Sequence, residues 1–256
     1  MQSWTRLIGA TAALCALGAC NSSDDSGSTV TTNASATGLW SGTDSVSGLT
    51  VTAFINSAGQ STFIRGDGLE FVGTAQVSGN TLAVTVDGYS NFPANFSDGS
   101  NYGIGTLDGT VTTASTLTGT LTFTTNDNTA ISGTWSLNYQ ALSSTGSSDA
   151  AVSGNYTDTV TGAVLSITSA GVMTSQSANN GCVLNGSIST GDTTTDLYEV
   201  AYSFADCTAP YAVLNGVQFT GLASLNTTVS PPQLTMAVTG ASSTAKYGVV
   251  STLNGT

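Results

Sequence analysis

Ile131, Gly133, Trp135, Leu137 and Tyr139 alternate one for one with Ser132, Thr134, Ser136 and Asn138. Strand side chains point to opposite faces in turn, so this run suits a half-buried strand and no helix, whose repeat is 3.6 residues. The same period recurs along the chain. Leu49, Val51, Ala53 and Ile55 share one face, as do Leu82, Val84 and Val86; later come Tyr198, Val200, Tyr202 and Phe204, then Val217, Phe219, Gly221, Ala223 and Leu225, then Leu234, Met236 and Val238. Turn signals separate the runs: Ser78-Gly79-Asn80, Asp87-Gly88, Asp108-Gly109, Ser169-Ala170-Gly171 and Asn215-Gly216. Such spacing predicts an all-β, antiparallel architecture, either a barrel-like meander or a sandwich. A count of about eight strands in each half favours the barrel. Closure of the first sheet would bring Trp40 beside the Trp135–Tyr139 run.

The two halves repeat one another. Gly38-Leu39-Trp40 corresponds to Gly154-Asn155-Tyr156, and Asp44-Ser45-Val46-Ser47-Gly48 to Asp158-Thr159-Val160-Thr161-Gly162. Ser57-Ala58-Gly59 corresponds to Ser169-Ala170-Gly171, and Val72-Gly73-Thr74 to Asn185-Gly186-Ser187. The offsets stay between 112 and 116 residues. This is too long for a solenoid repeat and suits tandem domains. We expect a β domain over 37–142, a linker over 143–150 and a second β domain over 151–256.

Charge narrows the function. Past residue 19 only Arg65 and Lys246 are cationic against 15 acidic residues, a net charge of −13. Nucleic-acid binding needs cations to neutralise phosphates, so it is excluded, and electrostatic docking to anionic lipid is disfavoured. Histidine is absent, which removes Ser-His-Asp triads, Cys-His pairs and His-ligated metals. No metal or cofactor is expected. A membrane-spanning barrel is also disfavoured, because Thr and Ser interrupt the apolar faces and the aromatics form no girdles.

The N-terminus carries one cation, Arg6, then a short apolar run from Leu7 to Leu17 that closes in Leu17-Gly18-Ala19-Cys20. The run is far shorter than the roughly 20 residues of a membrane span. The pattern resembles the lipobox of bacterial lipoproteins, whose signal peptidase cuts before a diacylglycerol-bearing cysteine. The resemblance covers residues 1–20. It implies a signal peptide over 1–19, a lipid anchor on Cys20 and a membrane as partner. Asn21 in place of Asp implies, by enteric-type sorting, the outer membrane, on its periplasmic or its surface face. The alternative is an ordinary secretory signal with Cys20 as a structural cysteine. Residues 20–36 follow as a lipidated cysteine and a polar, aperiodic tether. Cys15 leaves with the signal, so Cys182 and Cys207 remain for a disulfide in an oxidising compartment.

Several clusters invite chemistry, each with a plainer alternative. Asp67 and Glu70, in Arg65-Gly66-Asp67-Gly68-Leu69-Glu70, offer paired carboxylates for a hydrolase, or a Gly-flanked turn with Arg65 in a surface ion pair. The Arg65-Gly66-Asp67 tripeptide matches an integrin-binding motif in letters alone. Asp98-Gly99-Ser100-Asn101 and Asn126-Asp127-Asn128 are oxygen-rich but lack a calcium loop's bidentate Glu and read as turns. Asp192, Asp196, Glu199 and Asp206 gather in what reads as a solvated loop. Trp40, Trp135 and Tyr139, with Phe54, Phe63 and Phe71, either line an apolar ligand pocket or fill a barrel core.

The layout resembles a loose group of bacterial outer-membrane lipoproteins with a lipobox, a polar tether and duplicated Gly/Thr-rich β domains, the second often pinned by one disulfide. Gly181-Cys182, Asn185-Gly186, Tyr198, Cys207, Gly216 and Phe219-Thr220-Gly221 carry the likeness. It implies a non-enzymatic, anchored envelope protein that binds a protein or envelope partner through its loops. The alternative is a lipocalin-like carrier of a small apolar ligand, with the carboxylate hydrolase third.

Overall fold

The structure, a computed structural model, describes residues 32–158, 161–177 and 179–256. Cys20, the lipobox, the signal peptide and most of the tether lie outside the described residues. Two closed eight-stranded antiparallel barrels follow one another, each a simple up-and-down meander. The first comprises β1 (Gly38–Asp44), β2 (Thr50–Ile55), β3 (Gln60–Arg65), β4 (Glu70–Ser78), β5 (Thr81–Tyr89), β6 (Tyr102–Thr112), β7 (Thr116–Thr125) and β8 (Ala130–Tyr139). The second comprises β9 (Gly154–Asp158), β10 (Val164–Ile167), β11 (Val172–Gln176), β12 (Val183–Asp192), β13 (Leu197–Ala205), β14 (Gln218–Asn226), β15 (Gln233–Ala241) and β16 (Lys246–Gly255). The meander prevails over the sandwich, and β1 closes on β8 with Trp40 opposite Tyr139, as the alternation predicted.

The repeated motifs occupy the same turns in both barrels. Gly48 and Gly162 end the first hairpin turn of each at φ +72° and +71°, and each donates its N–H to the carbonyl of the preceding Asp, Asp44 or Asp158. The left-handed conformation is nearly free for glycine and strained for residues with a Cβ, which fixes the motif.

Alternation sorts the faces. In β7, Leu117, Leu121 and Phe123 are buried, while Thr118, Thr120, Thr122 and Thr124 face out. An apolar lumen inside a Thr-rich exterior is the reverse of a membrane barrel's arrangement. Among the described residues no helix is long and apolar enough to cross a membrane. Barrel 1 is filled by its aromatics. Trp135 packs against Phe63 at 5.3 Å and Phe71 at 5.7 Å, and Phe71 meets Phe123 edge-on at 5.3 Å. Trp40 lies in the same core, its indole N–H donating to the Ala36 carbonyl.

Two segments expected to be loose are docked. At the end of the expected tether, Ala34 donates its N–H to the Gly79 carbonyl and Asn33 accepts from the Gly79 N–H, so this stretch runs along barrel 1. In the expected linker, buried Ser143 bonds both the N–H and the carbonyl of Leu39, and Ser148 caps a single helical turn, Asp149–Val152. Polar composition marked these segments as loops but did not reveal that both have backbone partners waiting.

The barrels pack flank to flank. Leu39, Phe54 and Ile64 turn outward from barrel 1 and meet Leu197 and Leu222 of barrel 2, with Leu142 between. Phe54 therefore belongs to the seam and not to a barrel interior.

Candidate functional site: a cavity in the second barrel

Barrel 2 has fewer large interior residues at one end. Its closed end is packed with Tyr156, Ile167, Met173, Ile188, Tyr198 and Leu225, and Val152 from the helical turn plugs it. Toward the β9–β10, β11–β12 and β13–β14 turns the lumen opens into a cavity of about 750 Å3. Leu165, Leu184, Met236 and Leu253 form its apolar wall, with Tyr202 and Phe204 packed edge-on at 5.2 Å. Such a volume falls within the range of small-molecule sites.

The rim is held from two sides. The Cys182–Cys207 disulfide ties the start of β12 to the loop after β13, and Cys182 lines the cavity. Beyond it, Tyr211 and Leu214 come from a short 3-10 turn in that loop. Asn215 secures the loop by accepting from the Cys207 N–H and donating to its carbonyl.

Barrel 1 supplies the other side. Among the described residues β9 pairs with β16 at Leu253, Asn254 and Gly255. The exposed edge of β16 before that point is paired by barrel 1 instead. Asn101 donates to the Lys246 carbonyl, the Phe92 N–H to the Gly248 carbonyl at 2.9 Å, and Asn91 exchanges two bonds with Val250. The Phe92 ring then reaches over the rim, packing against Tyr211 at 5.7 Å and Tyr247 at 5.6 Å. The residues from Val249 to Leu253 all line the cavity. Asp158 of β9 and Pro93 and Ala94 of barrel 1 also line the cavity.

Two polar groups stand out on the wall. Ser177 Oγ is buried with no hydrogen-bond partner. The Tyr202 hydroxyl has no partner among the described residues, and burial, with the Glu70 carboxylate second, pushes its phenol well above the ordinary range.

The sequence candidates sit elsewhere. Trp40 and Trp135 are in the filled core of barrel 1 and Tyr139 packs edge-on against Trp40 at 5.2 Å, so none lines this cavity. Asp67 and Glu70 do not share a cleft. Asp67 is exposed and accepts two bonds from Arg65, at 3.0 and 2.8 Å. The Arg65 side chain is only 10% exposed, because its other face approaches Asp44 at 3.7 Å, so the ion pair is half-buried and not a surface one. Glu70 begins β4 on the seam, fully buried with neither oxygen bonded. Burial pushes its carboxyl well above the usual carboxylate value.

The expected solvated loop also needs correction. Asp196 is buried, accepts from the Ser224 hydroxyl at 2.9 Å, and is pushed by burial up to about 7. Asp98 follows the turn reading. Its carboxylate accepts from the Thr125 hydroxyl and from both N–H and Oγ of Ser100, which holds it far below the ordinary range. Among the described residues no group of three His, Cys, Asp or Glu side chains could hold a metal. No protein-family model matches this chain, and neither a curated protein nor a solved structure matches it.

Proposed function

We propose that this chain is a non-enzymatic, membrane-anchored envelope lipoprotein whose second barrel binds a small, largely apolar molecule. The observation that carries the ligand reading is the cavity of about 750 Å3, walled by Leu165, Leu184, Phe204, Met236 and Leu253, beside a barrel whose interior holds Trp40, Phe63, Phe71, Phe96, Phe123 and Trp135. Binding through an apolar docking face has less support. The exposed large apolar residues, Val46, Ile104, Val164, Val172, Val213 and Val229, are spread over six separate segments, and scattered single residues need no partner. The separation of Asp67 from Glu70 leaves a hydrolase without its pair of carboxylates.

The uncharged fluorophore N-phenyl-1-naphthylamine tests the cavity. The full chain carrying Cys20→Ala, which needs no detergent, should bind it with a dissociation constant of order micromolar. Leu184→Trp, which fills the space, should weaken that binding at least roughly tenfold, because one bulky ring removes the apolar contacts of the wall. Equal binding by both proteins would place the probe outside the cavity. The anchor is tested separately. Three acyl chains hold a protein to membrane far more firmly than one, so Cys20→Ala should move the protein from the membrane to the soluble fraction of fractionated cells. Retention on membranes would end the lipoprotein assignment.

A further inference from the structure

We infer that the cavity selects uncharged amphiphiles, molecules with a hydrocarbon or aromatic body and one hydroxyl, carbonyl or amide group, and rejects the corresponding carboxylates and sulfonates. The inference rests on the cavity reading above and adds the ligand's chemical class.

The argument starts from what the wall lacks. No Lys or Arg lines the cavity. The two cations among the described residues are engaged elsewhere: Arg65 pairs with Asp67 and Asp44 inside barrel 1, and Lys246 lies 3.7 Å from Asp87 and 3.7 Å over the Tyr102 ring. Among the described lining residues the one charged side chain is Asp158, of the same sign as a fatty acid or an aryl sulfonate. An anion entering would shed its water and meet no counter-charge, which is unfavourable by far more than for a neutral group of equal size.

What the wall offers instead is neutral. Ser177 Oγ is buried, unpartnered and on the lining, and such orphaned hydroxyls are uncommon in folded proteins. Tyr202 presents a second hydroxyl without a partner on the same lining, held neutral by its burial. A serine and a tyrosine hydroxyl each donate and accept, so either can satisfy an alcohol, ketone or amide. The rest of the ligand would lie against Phe204, Leu184 and Met236.

Two matched pairs of probes test this on the full chain carrying Cys20→Ala. N-Phenyl-1-naphthylamine should bind at least roughly tenfold more tightly than its sulfonated relative 1-anilinonaphthalene-8-sulfonate, and dodecanol should displace it at a concentration at least tenfold below that of dodecanoate at pH 7.5. Ser177→Ala should weaken dodecanol about five- to tenfold while changing the uncharged fluorophore less than about twofold, as expected for one lost hydrogen bond. Tyr202→Phe should act in the same direction. Comparable affinity for each anion and its neutral partner, or an unchanged dodecanol response in both variants, overturns the selectivity. If the uncharged fluorophore itself fails to bind, the cavity reading falls and takes this inference with it.

Discussion

Glu70→Leu is expected to stabilise the protein and to flatten a dependence on pH that runs opposite to ordinary acid denaturation. Glu70 is fully buried on the seam between the barrels, faced by Tyr89 of β5, Gly248 of β16 and, from inside barrel 2, Tyr202. None of these donates a hydrogen bond to it. A carboxyl in such a site is folded more easily protonated than charged, so its value in the native state stands above the unfolded value of 4.5. Its contribution is complete below that unfolded value and is lost as pH rises toward the native one, at about 1.4 kcal/mol per pH unit. Asp196 adds the same trend from 3.8 to about 7. Urea denaturation between pH 5 and 9 should therefore show the wild type losing stability with rising pH. Glu70→Leu should retain only the part that ends near pH 7. It should also gain about 1–3 kcal/mol at the acid end, where the carboxyl is neutral but still lacks a partner. Parallel curves for both proteins would mean that Glu70 keeps its charge in the native state.

The second large effect is expected at Gly248. A Cβ there would stand 2.5 Å from Tyr89 Cβ and 3.2 Å from Glu70 Oε2. The strand cannot retreat, because the Gly248 carbonyl is bonded to the Phe92 N–H of barrel 1 while its other edge pairs with Thr239 of β15. Gly248→Val should cost about 3 kcal/mol through overpacking. Because the same contact holds Asn91–Ala94 against the cavity, it should also weaken N-phenyl-1-naphthylamine binding. Thr118→Val on the outward face of barrel 1 serves as the control and should change stability by less than about 0.5 kcal/mol. Equal effects at the two sites would show that the barrels do not bear on each other at Gly248.

The barrels themselves were legible because alternation is a local property. Trp135 and Leu137 point inward and Ser136 outward by simple count from Ile131, and eight such strands in a row favoured the closure that sets Trp40 opposite Tyr139. The disulfide was legible from chemistry and cysteine number. The cavity was not. Tyr202 and Phe204 read correctly as inward residues, but whether inward residues fill a lumen depends on how the residues of eight strands add up at each level. That sum put the filled interior in barrel 1, around Trp135, and the vacancy in barrel 2. Glu70 was misleading for a related reason. Beside Asp67 and Gly68 it has the look of a turn charge, and its burial comes from Gly248, far away in sequence. Asp196 likewise resembles its solvated neighbours until Ser224 and the seam enclose it.

The bonds from barrel 1 to the edge of β16 bear on how the duplicated halves are related. A duplication ordinarily leaves two interchangeable modules, each able to stand alone. Here Asn91, Phe92 and Asn101 of the first copy bond the edge of β16 in the second. Cut from its sibling, barrel 2 would expose the edge of β16 from Lys246 to Val250, an open template for pairing with another chain. The two copies are therefore not interchangeable modules, since loss of the first would uncover the edge of β16 in the second.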